Sequence, residues 1–313
     1  MSPAWRRVGC LALNLAYLGA CTKSDATSSP GAAPASATAS AAKLAEPSAP
    51  KPPAPSVSSE DSQAKPGCRA LAISGVSRVD GVPLSPSSLL DGTHWVELES
   101  GASVALRHTQ TSREFRLIGP GHVLPCRDGS EQILLADGQL STSAMLGVRP
   151  GAEVLIATPA GVVRYGDAAL DLSFGGKGLR VRVKQGEAWV EPGERSKPHF
   201  ENPLRSGAEA RVPASDTAEP LVAACQSAAQ TAESSARRVL DGEAEAGRDS
   251  LGVRAAAHMR QRAKARVACA IAAAAAFTER DPATRQRLSA SVVHADVLWQ
   301  SVPRVSPERP GKN

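Results

Sequence analysis

Between residues 67 and 197, apolar and polar positions alternate with a period of two in short runs. Leu179, Val181 and Val183 alternate with Arg180, Arg182 and Lys184, which makes one face of that strand apolar and the other cationic. Ala102, Val104 and Leu106 follow the same pattern, as do Phe115 and Leu117. Turn signals punctuate the runs at Asp80-Gly81, Asp91-Gly92, Ser100-Gly101, Asp128-Gly129, Asp137-Gly138 and Gln185-Gly186. Short strands separated by such turns predict an all-β domain, sandwich or barrel-like, over 67–197. Trp189, in the run Ala188-Trp189-Val190, reads as an anchor of its core.

From residue 216 the period lengthens and the composition shifts to Ala, Arg, Glu and Gln, which favour helix. Ser215 or Thr217 can cap a first helix with Pro220 in its first turn, running to about Leu240. Gly242, Gly247 and Gly252 mark a connection, and a second helix is expected from about Val253 to Phe277. Asp281-Pro282 is a strong start for a third, with Asp as cap and Pro at the first helical position, ending near Trp299. The simplest packing of 216–302 is a three-helix antiparallel hairpin bundle. The apolar stretch Ala268 to Phe277 is too short to span a bilayer, and no run of 18 or more apolar residues occurs elsewhere.

Composition changes the picture at the N-terminus. Residues 22–66 hold 12 Ala, 10 Ser and 8 Pro and no aromatic residue, so this stretch cannot bury enough apolar surface to offset its ordering entropy. It reads as a disordered tether, with 303–313 as a disordered tail. Ahead of it, Arg6-Arg7 precedes a short apolar segment and small residues, the layout of a secretory signal peptide. The stretch Leu18-Gly19-Ala20-Cys21 resembles the lipobox of bacterial lipoproteins. That resemblance implies removal of residues 1–20 and lipidation of Cys21, which opens the 21–66 tether. Buried acyl carbons contribute roughly 0.8 kcal/mol each, so several chains anchor a protein without a spanning helix. By resemblance to lipoprotein sorting rules, Thr22 in place of Asp points to the outer membrane, facing the periplasm or the cell surface. Loss of Arg6 and Arg7 lowers the formal charge from +5 to +3. Neither value is a nucleic-acid signature, and export argues further against such a partner.

The β region resembles the FecR-type β domain. The likeness begins at Trp95-Val96-Glu97-Leu98-Glu99-Ser100-Gly101 and continues through Leu135-Ala136-Asp137-Gly138-Gln139-Leu140. It is clearest in Ile156-Ala157-Thr158-Pro159-Ala160-Gly161-Val162-Val163 and in Val181-Arg182-Val183-Lys184-Gln185-Gly186-Glu187. Thr158, Pro159, Gly161 and Gly186 occupy the family's structural turn positions. The usual Gly-Thr step reads Gly166-Asp167 here. FecR proteins join this domain to a cytoplasmic anti-sigma segment and a membrane-spanning helix, and neither is read in this chain. The resemblance therefore implies an exported β scaffold with a binding role, not transmembrane signalling.

Beyond Cys10 in the signal and Cys21, the cysteines are Cys68, Cys126, Cys225 and Cys269. Export permits disulfides, and four cysteines allow three connectivities, besides four free thiols. Pairing 68 with 126 and 225 with 269 keeps one bridge in each region. Gly247 lies midway between Cys225 and Cys269, so an antiparallel hairpin would bring them level at 1.5 Å of rise per residue.

Catalytic and cofactor signals are sparse. His94, His108, His122, His199, His258 and His294 form no close metal-ligand spacing, and neither a Gly-x-Ser-x-Gly elbow nor a phosphate loop is found. No catalytic residue, metal or cofactor is assigned. The run Arg254, His258, Arg260, Arg262, Lys264, Arg266 reads as a solvated helix face, with an anionic lipid, glycan or protein as its alternative partner. The sequence thus predicts an α+β multidomain protein. A tether presents an all-β FecR-like domain and then a helical domain, and the whole is a non-enzymatic cell-envelope lipoprotein. It would meet the membrane through its lipid and bind an envelope protein or glycan. The alternatives are a signalling accessory that senses an envelope ligand or receptor, and a cryptic envelope hydrolase.

Overall fold

The computed structural model describes residues 66–144, 153–193, 202–214, 217–242 and 248–301. The expected signal peptide, Cys21, the tether up to residue 65, Ser215, His199, Gly247 and the tail lie outside the described residues. The protein is α+β: a β-rich region is followed by three helices, and both belong to one unit, Glu60–Asn313.

Fourteen strands appear among the described residues. They are β1 (Cys68–Ser74), β2 (Ser77–Val79), β3 (Val82–Pro83), β4 (Leu89–Leu90), β5 (Val96–Leu98), β6 (Ser103–His108), β7 (Glu114–Arg127), β8 (Gln132–Thr142), β9 (Val154–Thr158), β10 (Gly161–Tyr165), β11 (Ala168–Gly175), β12 (Gly178–Pro192), β13 (Leu204–Arg205) and β14 (Glu209–Val212). Pairing runs β8–β9–β10–β12–β11 and returns from β11 to β8, so these five strands close on themselves. Closure removes exposed edges. It also gathers the inward residues Leu140, Ile156, Val163, Leu170, Leu172, Val181 and Val183, all at most 2% exposed. Each buried aliphatic side chain of this size contributes about 1.5–3 kcal/mol. The β-rich region continues past residue 197, because β13 and β14 both pair with β12.

The alternation read in β12 holds for Leu179, Val181 and Val183, which are buried, while Arg180, Arg182 and Lys184 face out. It then changes parity. The pairing Ala169↔Gln185 followed by Leu170↔Val183 skips Lys184, a bulge that places two residues opposite one. Beyond it the even positions Ala188 and Val190 point inward, and Trp189 is 41% exposed. Trp189 is therefore not a core anchor: the bulge turned it outward.

The helices are α1 (Glu219–Gly242), α2 (Arg248–Phe277) and α3 (Pro282–Gln300). Asp281 caps α3 by accepting the backbone N–H of Thr284 at 2.7 Å, with Pro282 following it. Gly252 lies within α2 instead of marking the connection, so α2 begins earlier than expected. Arg287 near the start of α3 donates to Glu219 at the start of α1 at 2.6 Å, so α1 and α3 run parallel, with α2 antiparallel to both and all three in mutual contact. Disulfides join Cys68 to Cys126 and Cys225 to Cys269, with Cα–Cα distances of 5.7 and 4.6 Å.

One core lies wholly among strands. The other mixes the helical residues Cys225, Ala229, Cys269, Ala272 and Leu288 with the strand residues Leu124, Leu134, Leu155, Ala157 and Val162. Small Ala side chains let α2 approach the strands closely. Strand β9 sits between the two cores and is buried along its whole length. Its pairing with β8 is parallel, Gln132↔Leu155 to Leu134↔Ala157.

Candidate functional site

The outward side of the closed strands carries the most distinctive chemistry on the surface. Register aligns Arg116 (β7), Ser141 (β8), Asp171 (β11), Arg182 (β12) and Glu209 (β14) in one row. The next row reads Ile118, Gln139, Ser173, Arg180 and Arg211. Four spacings of about 4.8 Å give each row a span of roughly 19 Å. Two shallow depressions of about 650 and 480 Å³ share Gln139, Ser173 and Arg180 and so form one surface.

Charge on these rows is uneven. Arg180 and Arg211 are direct cross-strand partners, a like-charge arrangement that destabilises unless an acid lies between. Glu209 supplies it, accepting from Arg180 at 2.7 Å and from Arg211 at 3.0 Å. The hydrogen bond from Arg180, joined by that from Arg211, pulls the Glu209 carboxyl down to about 2. Asp171 is paired with Lys184 at 2.7 Å. Exposed Arg116, Arg182 and Lys177 then have no ion pair among the described residues. The geometry offers exposed guanidinium donors separated by hydroxyl and amide groups, an arrangement for binding anionic oxygens.

A second cluster lies where strands meet helices. Trp95 stacks on Phe277 with centroids 4.0 Å apart, and the His122 ring lies 5.3 Å from Phe277. Asp137 accepts from the His122 backbone N–H at 2.6 Å and lies 2.9 Å from its Nδ1. That hydrogen bond raises the His122 pKa against the opposing effect of burial. A third cluster is internal: Arg113 Nε lies 3.5 Å from Glu131, both buried, and burial pushes the Tyr165 phenol up. The Arg113–Glu131 cluster is internal, whereas His122 and Asp137 are partly exposed and Asp137 borders the larger depression.

The residues singled out in the sequence fall as follows. Thr158 ends β9 opposite Gly161 of β10, and its hydroxyl donates to the Gly161 carbonyl at 3.1 Å. Pro159 lies in the tight turn between them. Gly186 lies beside the β12 bulge with φ of 83°. All are positions of backbone geometry and none touches the cationic rows. The basic run of α2 does not form one solvated face: His258 and Arg262 are buried, Arg262 lies over the Trp299 ring at 5.6 Å, and Arg266 donates to Ser130 and Gln132 at 3.2 Å. Helical period turned half the run toward its neighbours. The cationic side of β12 was readable from alternation. Its alignment with Arg116 was not, since register across β8 and β11 is a long-range property. Arg211 and Glu209 lay beyond the expected end of the β domain.

No group of three or more His, Cys, Asp or Glu able to hold a metal occurs among the described residues. No helix among them is long and apolar enough to cross a membrane. No family profile matches the chain, and no curated protein matches it. Among solved structures, a candidate anti-sigma factor from Parabacteroides distasonis is similar at 12% identity, with a TM-score of 0.30, over 42% of this chain and 64% of that one.

Proposed function

We propose that the protein is a non-enzymatic cell-envelope lipoprotein whose FecR-like β region binds an envelope protein or glycan. The observation that carries this reading is the aligned cationic surface on β7, β8, β11, β12 and β14, where Arg116 and Arg182 are exposed without ion pairs among the described residues. Such side chains on a broad, shallow sheet face suit a partner that lays anionic groups along it. Placement in the envelope rests on the lipobox-like Leu18-Gly19-Ala20-Cys21. The FecR-like label rests on the sequence motifs around Thr158, Pro159, Gly161 and Gly186.

Two measurements on the full chain test the reading. Growth with labelled palmitate should mark the wild-type protein and leave Cys21→Ser unmarked; equal labelling or none overturns the lipid anchor. Sedimentation of the unlipidated Cys21→Ser chain with isolated envelope fragments should retain it. Adding Arg116→Gln and Arg182→Gln should release it. Absence of retention at low salt overturns the binding role.

A further inference from the structure

We infer that the cationic rows form a binding site for an acidic polysaccharide, a hydroxyl-rich chain with repeated carboxylate or phosphate groups. This rests on the binding role proposed above and names its ligand class.

Four features of the surface select that class. First, the charge is one-sided: Arg116, Lys177, Arg180, Arg182, Lys184 and Arg211 stand against Asp137, Asp171 and Glu209. The acids are used internally, Asp137 by His122, Asp171 by Lys184 and Glu209 by Arg180 and Arg211. Second, the groups between the cations are Ser141, Ser173 and Gln139, which donate and accept and so match sugar hydroxyls. Third, the rows offer a folded protein partner no anchoring pocket. Protein interfaces concentrate their affinity in buried aromatic and apolar anchors, and here the row residues include one large apolar side chain, Ile118. An extended peptide would instead seek a free strand edge, whereas β7, β8, β11 and β12 are paired on both sides here and only the four-residue β14, at the end of the rows, is paired on one side. Fourth, single-stranded nucleic acid needs aromatic platforms for its bases. No aromatic residue stands in either row, and Phe174 beside them packs against the core.

The roughly 19 Å length of a row accommodates several sugar residues end to end. Arg116 and Arg182 stand in the same row, separated by Ser141 and Asp171. A chain crossing the strands would meet one guanidinium near each end and polar hydrogen-bonding groups between. Glu209 acts as a governor, holding Arg180 and Arg211 in internal pairs. Replacing it with Gln frees two cations for the ligand.

The test uses the purified full chain and four probes of similar length, measured by calorimetry at low salt: polygalacturonate, neutral dextran, poly-L-glutamate and a single-stranded oligonucleotide. Polygalacturonate should bind and dextran should not. Arg116→Gln/Arg182→Gln should weaken polygalacturonate binding at least tenfold and flatten its salt dependence, with the thermal unfolding midpoint unchanged because both side chains are exposed. Glu209→Gln should tighten it. Poly-L-glutamate or the oligonucleotide binding as tightly as polygalacturonate overturns the assignment in favour of an acidic protein or nucleic acid. Binding unaffected by the Arg116/Arg182 substitutions moves the site elsewhere and also overturns it. Failure with polygalacturonate alongside retained binding to envelope fragments overturns the ligand class alone; failure in both overturns the binding role itself.

Discussion

At His122 a single proton is tied to the seam between strands and helices. Asp137 lies 2.9 Å from the imidazole Nδ1, and that hydrogen bond, reinforced by the charges of Asp137 and Glu97, raises its pKa above the ordinary 6.5 despite burial and nearby Arg285. A raised value in the folded state means that the contribution to stability is complete below about 6.5 and is lost as pH climbs through the raised value. Proton NMR of the ring should therefore show His122 titrating above 6.5. Asp137→Asn should move it downward and flatten the loss of stability above neutral pH. Gly186 is the other residue where backbone geometry decides the outcome. Its φ is 83°, and a Cβ there would stand 2.4 Å from the Asp167 carbonyl oxygen. Gly186→Ala should cost about 1–3 kcal/mol in urea unfolding; an unchanged midpoint would contradict the geometry. The sequence read Gln185-Gly186 as a turn, but β12 runs unbroken from Gly178 to Pro192 and bulges there. The parity change was not legible, because Lys184 becomes the extra residue only when β11 is paired alongside.

Helix α2 is the element on which the second core depends. Ala265, Ala270, Ala272, Ala274 and Ala276 are fully buried along it. The composition announced a helix and Phe277 its end, but not its partner, since Ala positions that suit a helix pair suit a helix on a sheet equally well. Disulfide spacing was more informative, as Cys225 and Cys269 are level in the α1–α2 pair at 4.6 Å between Cα atoms. Close packing leaves no room for growth. Ala272→Leu should destabilise by about 1–3 kcal/mol, with helical content by circular dichroism retained at low temperature. Equal stability would mean that α2 stands further from its neighbours than the structure places it. The start of α3 was readable to the residue, because Asp281 and Pro282 act locally.

Across the whole molecule, polar contacts at the β7–β8 turn border the apolar contact between helices and strands. Asp296 of α3 pairs with Arg127 of β7, largely out of solvent, and also accepts from the Trp299 indole N–H at 3.0 Å. Gln300 donates to Asp128 at 3.4 Å. Removing one partner of such a pair leaves a buried charge uncompensated. Asp296→Ala should cost about 3 kcal/mol or more, measured as a lowered urea midpoint. In the wild type, helical circular dichroism and tryptophan fluorescence should change in one coincident transition; two separate transitions would show that the cores are independent. Reading two regions from composition was sound at the level of elements. Their shared core depends on the contact of Leu124, Leu134, Leu155, Ala157 and Val162 with distant helices, which no local pattern encodes. Strand β9, covered on both faces, sets an order of events during biosynthesis. The helix that covers it, α2, begins some 90 residues further along the chain. At about 5–20 residues per second that leaves the strand's greasy side unguarded for roughly 4–18 s, an interval in which a chaperone can stand in for the missing helix.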